Sequence, residues 1–224
     1  MHRICLFCLL LLLMAEVGNA QSYFSRTWRN DTGKVYLRAN LLGLLDVFDG
    51  NVSFGGEYRL DKNWSVTMDA GFIFYSVYTG KAEKTSGIFL RPGVRRYTSK
   101  YRDRFIDLQF HFKSVGYHIN DWLGKDVVND VPTYEELKVF KYRKRVVGGH
   151  ILFGGREELT RNHQLFLEIF MGLGLHYKEE WIPGEPNSRY APSGSSNFRS
   201  ASSEKVTRLL PAVPMGVRLI YAFQ

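Results

Sequence analysis

The sequence predicts an all-β protein: a single antiparallel up-and-down transmembrane β-barrel of eight strands. Three observations predict it. Apolar and polar residues alternate with period two through most of the chain, no convincing amphipathic helix interrupts them, and the connections between strands are unequal in length. Period-two alternation places residues i and i+2 on one face of a strand, whereas a helix groups i, i+3 and i+4. The 224 residues are 45% hydrophobic and 15% aromatic, with 30 Lys+Arg against 22 Asp+Glu and a net charge of +8. So much apolar and aromatic material excludes a disordered chain, and 21 Gly with 7 Pro exclude a collagen-like one. Two cysteines exclude a zinc-finger or disulfide framework. Beyond residue 20 no run of about 18 apolar residues occurs, which excludes a polytopic helical membrane protein.

The chain opens with a segment of another kind. Residues 1–20 read as a secretory signal peptide: Arg3 gives the positive start, residues 4–14 (ICLFCLLLLLM) the apolar core, and Gly18-Asn19-Ala20 the small residues for cleavage. Such a core is too short to cross about 30 Å of hydrocarbon as a helix. Cys5 and Cys8 both lie in it, and neither is placed for lipid attachment, so the remainder has no cysteine. An exported chain without a disulfide suits a bacterial envelope protein better than a cysteine-stapled secreted fold. Residues 21–34 are then a periplasmic lead-in, and residues 35–224 the barrel.

The first four expected strands are 35–45, 51–60, 64–75 and 87–98. Their polar faces carry Arg38 and Asn40, then Glu57 and Arg59, then Asp69, then Arg91 and Arg95. Opposite these stand Val52, Phe54 and Tyr58; Trp64, Val66, Met68, Phe72 and Phe74; and Ile88, Leu90 and Val94. The fifth, 105–113 (FIDLQFHFK), is the clearest: Ile106, Leu108, Phe110 and Phe112 oppose Asp107, Gln109, His111 and Lys113. The sixth, 145–155, carries His150. The seventh, 164–178, sets Leu165, Leu167, Ile169, Met171, Leu173, Leu175 and Tyr177 against Glu168, Gly172, Gly174, His176 and Lys178. The eighth sets Leu209, Val213, Met215, Val217, Leu219, Tyr221 and Phe223 against Arg208, Gly216 and Arg218. Pro92 and Pro211 fall inside strands, where a bulge is the usual accommodation.

Connections 61–63, 99–104 and 156–163 are short and share one end, whereas 116–144 and 179–205 are long and share the other. The last is rich in Pro, Gly and Ser, as a mobile loop would be. Short periplasmic turns with longer extracellular loops are the pattern of an outer-membrane barrel. Connections 46–50 and 76–86 are short or medium, so the asymmetry is partial. Alternation alone does not separate such a barrel from a soluble one, its inside-out copy. Lipid outside is favoured by long bulky apolar faces, by polar faces mixing both signs of charge with glycine, by an end at Tyr221-Ala222-Phe223-Gln224, and by Tyr58, Trp64, Tyr75, Tyr78, Tyr97, Tyr177 and Tyr221 near strand ends, where aromatic girdles lie.

Eight strands leave about 25 residues for each strand and its connection, too few for a porin. Eight strands enclose an interior that side chains fill, and buried charge there must be paired. Arg38, Glu57, Arg59, Asp69, Arg91, Arg95, Asp107, Glu168 and Arg218 are therefore expected to form an internal charge network.

Several short motifs resemble a family. Residues 37–58 (LRANLLGLLDVFDGNVSFGGEY) with Asp61-Lys62-Asn63-Trp64-Ser65-Val66, then residues 90–97 (LRPGVRRY) and 216–223 (GVRLIYAF), resemble the uncharacterised small outer-membrane barrels of Bacteroidota. Gly93 stands where that family often has an acid, and Gln224 follows the usual terminal aromatic. The resemblance implies a fold and a location, with no activity, catalytic residue or cofactor.

Small barrels include lipid A-modifying enzymes, so acyl-transfer sets are worth seeking. Ser114 and His111 lie on opposite faces by parity. His118 with Asp121 and His176 with Glu179 are rim pairs, with no serine fixed beside either. His111, His150 and Asp107 could meet in the lumen, but their spacing does not specify a metal site. The run 138–145 (KVFKYRKR) is basic with interleaved aromatics. On an exported barrel, Lys138, Lys141, Arg143, Lys144 and Arg145 would contact lipopolysaccharide phosphates rather than nucleic acid. The expectation is a monomeric, non-enzymatic outer-membrane protein without cofactor or metal, inserted by the barrel-assembly machinery. Its work would be envelope integrity or surface interaction through the long loops. The alternatives are a soluble periplasmic lipocalin-like carrier of a lipophilic ligand and a lipid A-modifying barrel enzyme.

Overall fold

The structure is a computed structural model that describes residues 34–41, 49–76, 81–99, 102–160, 164–191 and 201–223. The expected signal peptide, the lead-in up to residue 33, Tyr78 and Gln224 lie outside the described residues. Among those described, the regular elements are all strands. They are β1 (Val35–Asn40), β2 (Gly50–Arg59), β3 (Trp64–Tyr75), β4 (Ala82–Tyr97), β5 (Arg104–Val128), β6 (Val131–Glu158), β7 (Leu165–Trp181), β8 (Ser188–Tyr190), β9 (Ala201–Ser202), β10 (Val206–Ala212) and β11 (Met215–Phe223).

Strands β1 to β7 pair antiparallel in chain order, β7 pairs with β11, and β11 returns to β1. The sheet thus runs through eight strands in a ring. β10 pairs with β7 in the register that β11 continues, and across the Val213-Pro214 break the Gly172 amide donates to the Pro214 carbonyl at 2.8 Å. The eighth expected strand is therefore β10 and β11 in line. Neither proline produces the bulge expected of it. Pro211 stays in register with Leu175, and Pro92, facing Met68, interrupts the β4–β5 ladder without shifting it.

One end of the ring is made of tight turns. The Asp61 carboxylate accepts from the Asn63 and Trp64 amides at 2.6 and 2.8 Å, an Asx turn that closes β2 onto β3. The other end differs from expectation. Residues 116–144 are not a long loop: β5 and β6 run for 25 and 28 residues and stay paired to their tip. The turn is the dipeptide Asn129-Asp130, with φ of 52° and 66°, the two-residue geometry that Asn and Asp tolerate and that matches strand twist. Loop 179–205 is also more structured than its composition suggests. β7 continues to Trp181, β8 pairs with β5 and β9, and Ile182, Tyr190 and Ala201 are buried against Val115, Tyr117, Ile119, Leu123, Phe140 and Tyr142. The apolar residues inside that Pro/Gly/Ser-rich stretch fold it into the mouth of the ring. Its residues 192–200 lie outside the described residues.

In the body of the ring the mainly apolar face of the strands points out and the mainly polar face points in, whereas toward the hairpin β5 turns Val115, Tyr117 and Ile119 inward. Leu173 is 66% and Leu108 61% exposed, whereas Arg95, Asp107 and Glu168 are fully buried. Of the aromatics expected at an outer girdle, Tyr58, Trp64, Tyr75, Tyr177 and Tyr221 are exposed. Tyr97 is the exception: strand parity turns it inward, where it donates to Glu57.

Glycines on the inner face admit the close approach of neighbours. A Cβ on Gly172 would sit 2.2 Å from the Ile151 carbonyl oxygen, whereas one on outward-facing Gly149 would meet nothing nearer than 3.8 Å. Gly172→Ala should therefore cost about 1–3 kcal/mol, and Gly149→Ala should stay within about 0.5 kcal/mol. Urea unfolding in matched detergent or lipid would measure both.

Candidate functional site: the polar interior of the ring

Inward positions of all eight strands of the ring converge on one charge cluster. Arg95 on β4 lies at its centre, donating to Glu168 at 2.6 and 3.0 Å, to Asp107 at 3.0 Å and to Glu57 at 3.1 Å. Arg156 joins Glu57 at 2.7 Å and Glu168 at 3.2 Å. Arg218 joins Glu168 at 2.9 Å and Asp69 at 3.2 Å, and Arg38 reaches Asp69 at 3.3 Å. Four guanidiniums thus meet four carboxylates, all 7% exposed or less. The forked, planar guanidinium can hold two or three carboxylates at once, which a lysine ammonium does less well. Aromatic rings fill the remaining faces, with Phe105 at 3.7 Å from the Arg95 guanidinium and Phe170 at 3.8 Å from that of Arg218.

Seven of the nine expected network residues therefore meet: Arg38, Glu57, Asp69, Arg95, Asp107, Glu168 and Arg218. The other two point inward but have different partners. Arg59 donates to the Tyr36 hydroxyl, and Arg91 donates to His111 Nδ1 at 3.1 Å. Arg156 was not foreseen, because residues 156–163 read as a turn. Two continued steps of alternation beyond Gly154 would have placed it on the inner face.

Toward the long-hairpin end lies an imidazole layer. His111, His150 and His176 come from β5, β6 and β7 with ring centroids 4.8 to 5.2 Å apart. His150 Nε2 and His176 Nε2 lie 2.7 Å from each other. Glycines make the space: a Cβ on Gly174 would come within 2.4 Å of the His150 ring, and one on Gly148 within 2.7 Å of the His176 ring. The His111 ring stacks on that of His176 at 21°, so their in-plane lone pairs do not converge. Asp107 is engaged by Arg95 and Gln109 instead of joining the histidines. Among the described residues, no group of three or more His, Cys, Asp or Glu is arranged to hold a metal ion.

Above the histidines, Asp49 accepts from Lys113, from Lys144 at 2.8 Å, from Ser76 at 2.8 Å and from Tyr117 at 3.0 Å. Glu180 accepts from Tyr142 at 2.6 Å and pairs with Arg208 and Lys178. Beyond them, at the hairpin, Lys125 and Lys138 hold Glu185 at 2.5 and 3.0 Å. The hydrogen bond from Lys125, then that from Lys138, keeps the Glu185 carboxyl below the usual carboxylate range despite the opposing cost of burial.

The candidate acyl-transfer pairs do not assemble. Ser114 and His111 face opposite sides of β5, His118 faces out while Asp121 faces in toward Tyr190, and His176 faces in while Glu179 faces out. The basic run 138–145 also divides by parity. Lys138 and Lys144 turn inward to Glu185 and Asp49, while Lys141, Arg143 and Arg145 turn outward.

The chain matches no protein-family model, no curated protein and no solved structure. The short motifs that resemble small barrels of Bacteroidota are not extended by any such match.

Glu168 touches all four guanidiniums of the cluster, at 4.0 Å or less. Glu168→Gln leaves the shape and removes the charge, stranding buried cations, and should destabilise the fold by about 3–5 kcal/mol. The check is the denaturation midpoint of folded protein, with Glu179→Gln on the outer face of the same strand shifting it by about 0.5 kcal/mol or less.

Proposed function

We propose that the ring is an eight-stranded outer-membrane β-barrel, monomeric and non-enzymatic, working in envelope integrity or surface interaction. The observation that carries this reading is the inverted burial in the body of the ring: large apolar side chains stand on the outer faces of the strands while ion pairs occupy the inside. A soluble carrier needs the reverse, an apolar lumen and a polar exterior. Here the lumen of the ring is occupied by the Arg95–Glu168 cluster and the imidazole layer, and its outer end by Ile182 and Tyr190. Little room is left for a lipophilic ligand.

The dimensions agree with a bilayer. The 12-residue β3 is outwardly apolar from Trp64 to Phe74. At about 3.3 Å per residue and a tilt of about 40° it covers roughly 30 Å along the axis, close to the apolar band of outer-membrane barrels. Charged outward side chains stand beyond the band at both ends: Arg96 and Arg104 by the tight turns, Arg143 and Arg145 toward the hairpin. The non-enzymatic reading rests on the candidate nucleophile and base pairs facing apart. The long β5–β6 hairpin, with Trp122, Leu137 and Val139 exposed above the charged rim, is the surface offered to partners. Insertion of such a barrel falls to the barrel-assembly machinery.

Fractionation tests the reading. Recovery from the outer membrane only with detergent, with mobility that shifts on heating, is the expected result. Recovery in the soluble periplasm without detergent would overturn it. Leu108→Arg gives an independent check: in the middle of a lipid-facing band it should cost about 2–4 kcal/mol. On a water-facing surface the same change would fall within about 0.5 kcal/mol.

A further inference from the structure

We infer that the outer face of β4, β5 and β6, just above the apolar band, binds the phosphates of lipopolysaccharide. Its acyl chains would lie against the band below. The inference rests on the membrane reading and goes further by naming a lipid class and a site.

Lys141, Arg143 and Arg145 are successive outward residues of β6, so their side chains leave the same face about 7 Å apart. Register extends the patch sideways: Lys141 faces His118 of β5, which faces Lys84 of β4, and all three are exposed. Two acids lie nearby, one of them paired with Arg145. Glu179 stands 3.8 Å from Arg145, and Glu83 accepts from Asn120. Lys141 and Arg143 make no salt bridge among the described residues, although the interior of the same protein pairs its arginines closely. Fixed like charges at this spacing repel one another, and an anionic ligand would relieve the repulsion.

The surface beneath favours a lipid over a free anion. Arg145 pairs across with Ser114, and that row continues to Ile88, 51% exposed. The next row toward the band is Val147, Phe112 and Leu90. Between the two basic rows lies Gly116, where an added Cβ would meet only the Ser86 carbonyl, 3.9 Å away. Packing does not require that glycine, and the missing side chain leaves the strand surface open between the cations. Guanidiniums suit phosphate as bidentate donors. The opposite rim carries Arg96 and Arg104 without a row of this kind.

The test uses the full chain, folded in a neutral detergent, with purified lipid A as the probe and bound lipid counted by native mass spectrometry. Wild type should bind phosphorylated lipid A. The triple variant Lys141→Gln/Arg143→Gln/Arg145→Gln and the single variant Gly116→Glu should each bind it on the order of tenfold to a hundredfold more weakly. Wild type should bind dephosphorylated lipid A with a similar loss, and phosphatidylglycerol more weakly than lipid A. Arg96→Gln/Arg104→Gln should leave binding unchanged. Equal binding of dephosphorylated lipid A would overturn the phosphate assignment, and an equal loss in the Arg96/Arg104 variant would overturn the location. Each variant must show the heat-modifiable mobility of wild type, so that a variant that folds and inserts yet binds normally defeats this inference alone. Failure of wild type to enter membranes would defeat the membrane reading instead.

Discussion

A ring of eight strands that turns one face of every strand outward must fill its interior with the other face. In this chain that face is charged. The constraint is severe, because a lone buried ion costs several kcal/mol and an eight-stranded ring is only wide enough for side chains to fill. The cluster around Arg95 and Glu168 meets the constraint by matching four guanidiniums with four carboxylates, one from each of the eight strands of the ring. Each member is held by partners from other strands: Glu57 of β2 joins Arg95 of β4 and Arg156 of β6, while Asp69 of β3 joins Arg38 of β1 and Arg218 of β11. Such a network specifies register as well as stability, since a one-residue slip of any strand would send its charge to the outer face.

The same constraint explains the change of character along the axis. Where the strands are close, inward glycines alternate with large groups, so Gly148 and Gly174 stand beside the imidazoles, and Gly172 beside Leu152, instead of competing with them. Farther toward the hairpin the ionic filling gives way to an apolar plug. Ile182, Tyr190 and Ala201 return from the segment after β7 and pack on Tyr117, Phe140 and Tyr142. Polar contacts ring that plug: Tyr190 donates to Asp121, and Tyr142 donates to Glu180. The plug ties the end of β7 to the β5–β6 hairpin, which helps the hairpin stay paired to its tip instead of fraying into a loop.

The strand faces were legible because period two is a strong signal wherever one face is uniformly apolar. That is why residues 105–113 and 164–178 could be assigned faces, and why seven interior charges could be named. The pattern weakened where neither face is uniform. Beyond residue 114 the outward positions of β5 are Ser114, Gly116, His118 and Asn120, so alternation fades although the strand continues to Val128. The local cue there is the Asn129-Asp130 dipeptide, whose positive φ values close the hairpin in two residues. Arg156 falls outside the expected strand for a related reason: alternation is lost at Gly154-Gly155, where the expected strand ends, although Gly154 is an inward position where Phe105 needs room. Composition misled in the segment after β7, because Pro, Gly and Ser describe the connecting residues while three scattered apolar ones do the packing.

Parity also governs how the basic residues are used, and here sequence proximity is a poor guide. Lys144 and Arg145 are adjacent, yet one closes an interior pair with Asp49 and the other stands outside beside Trp181, 5.7 Å from its ring. The net charge of +8 therefore does not act as one field. Its interior share is neutralised by carboxylates and contributes mainly to shape. Among the described residues, part of what remains outward is grouped where β4, β5 and β6 carry Lys84, His118, Lys141, Arg143 and Arg145 in neighbouring rows. A surface that only needed solubility would gain nothing from crowding cations on one side of the ring, since interspersed charges of both signs serve that purpose with less repulsion. Crowding is intelligible if the surroundings there are anionic, as they are beside the phosphates of a lipid leaflet.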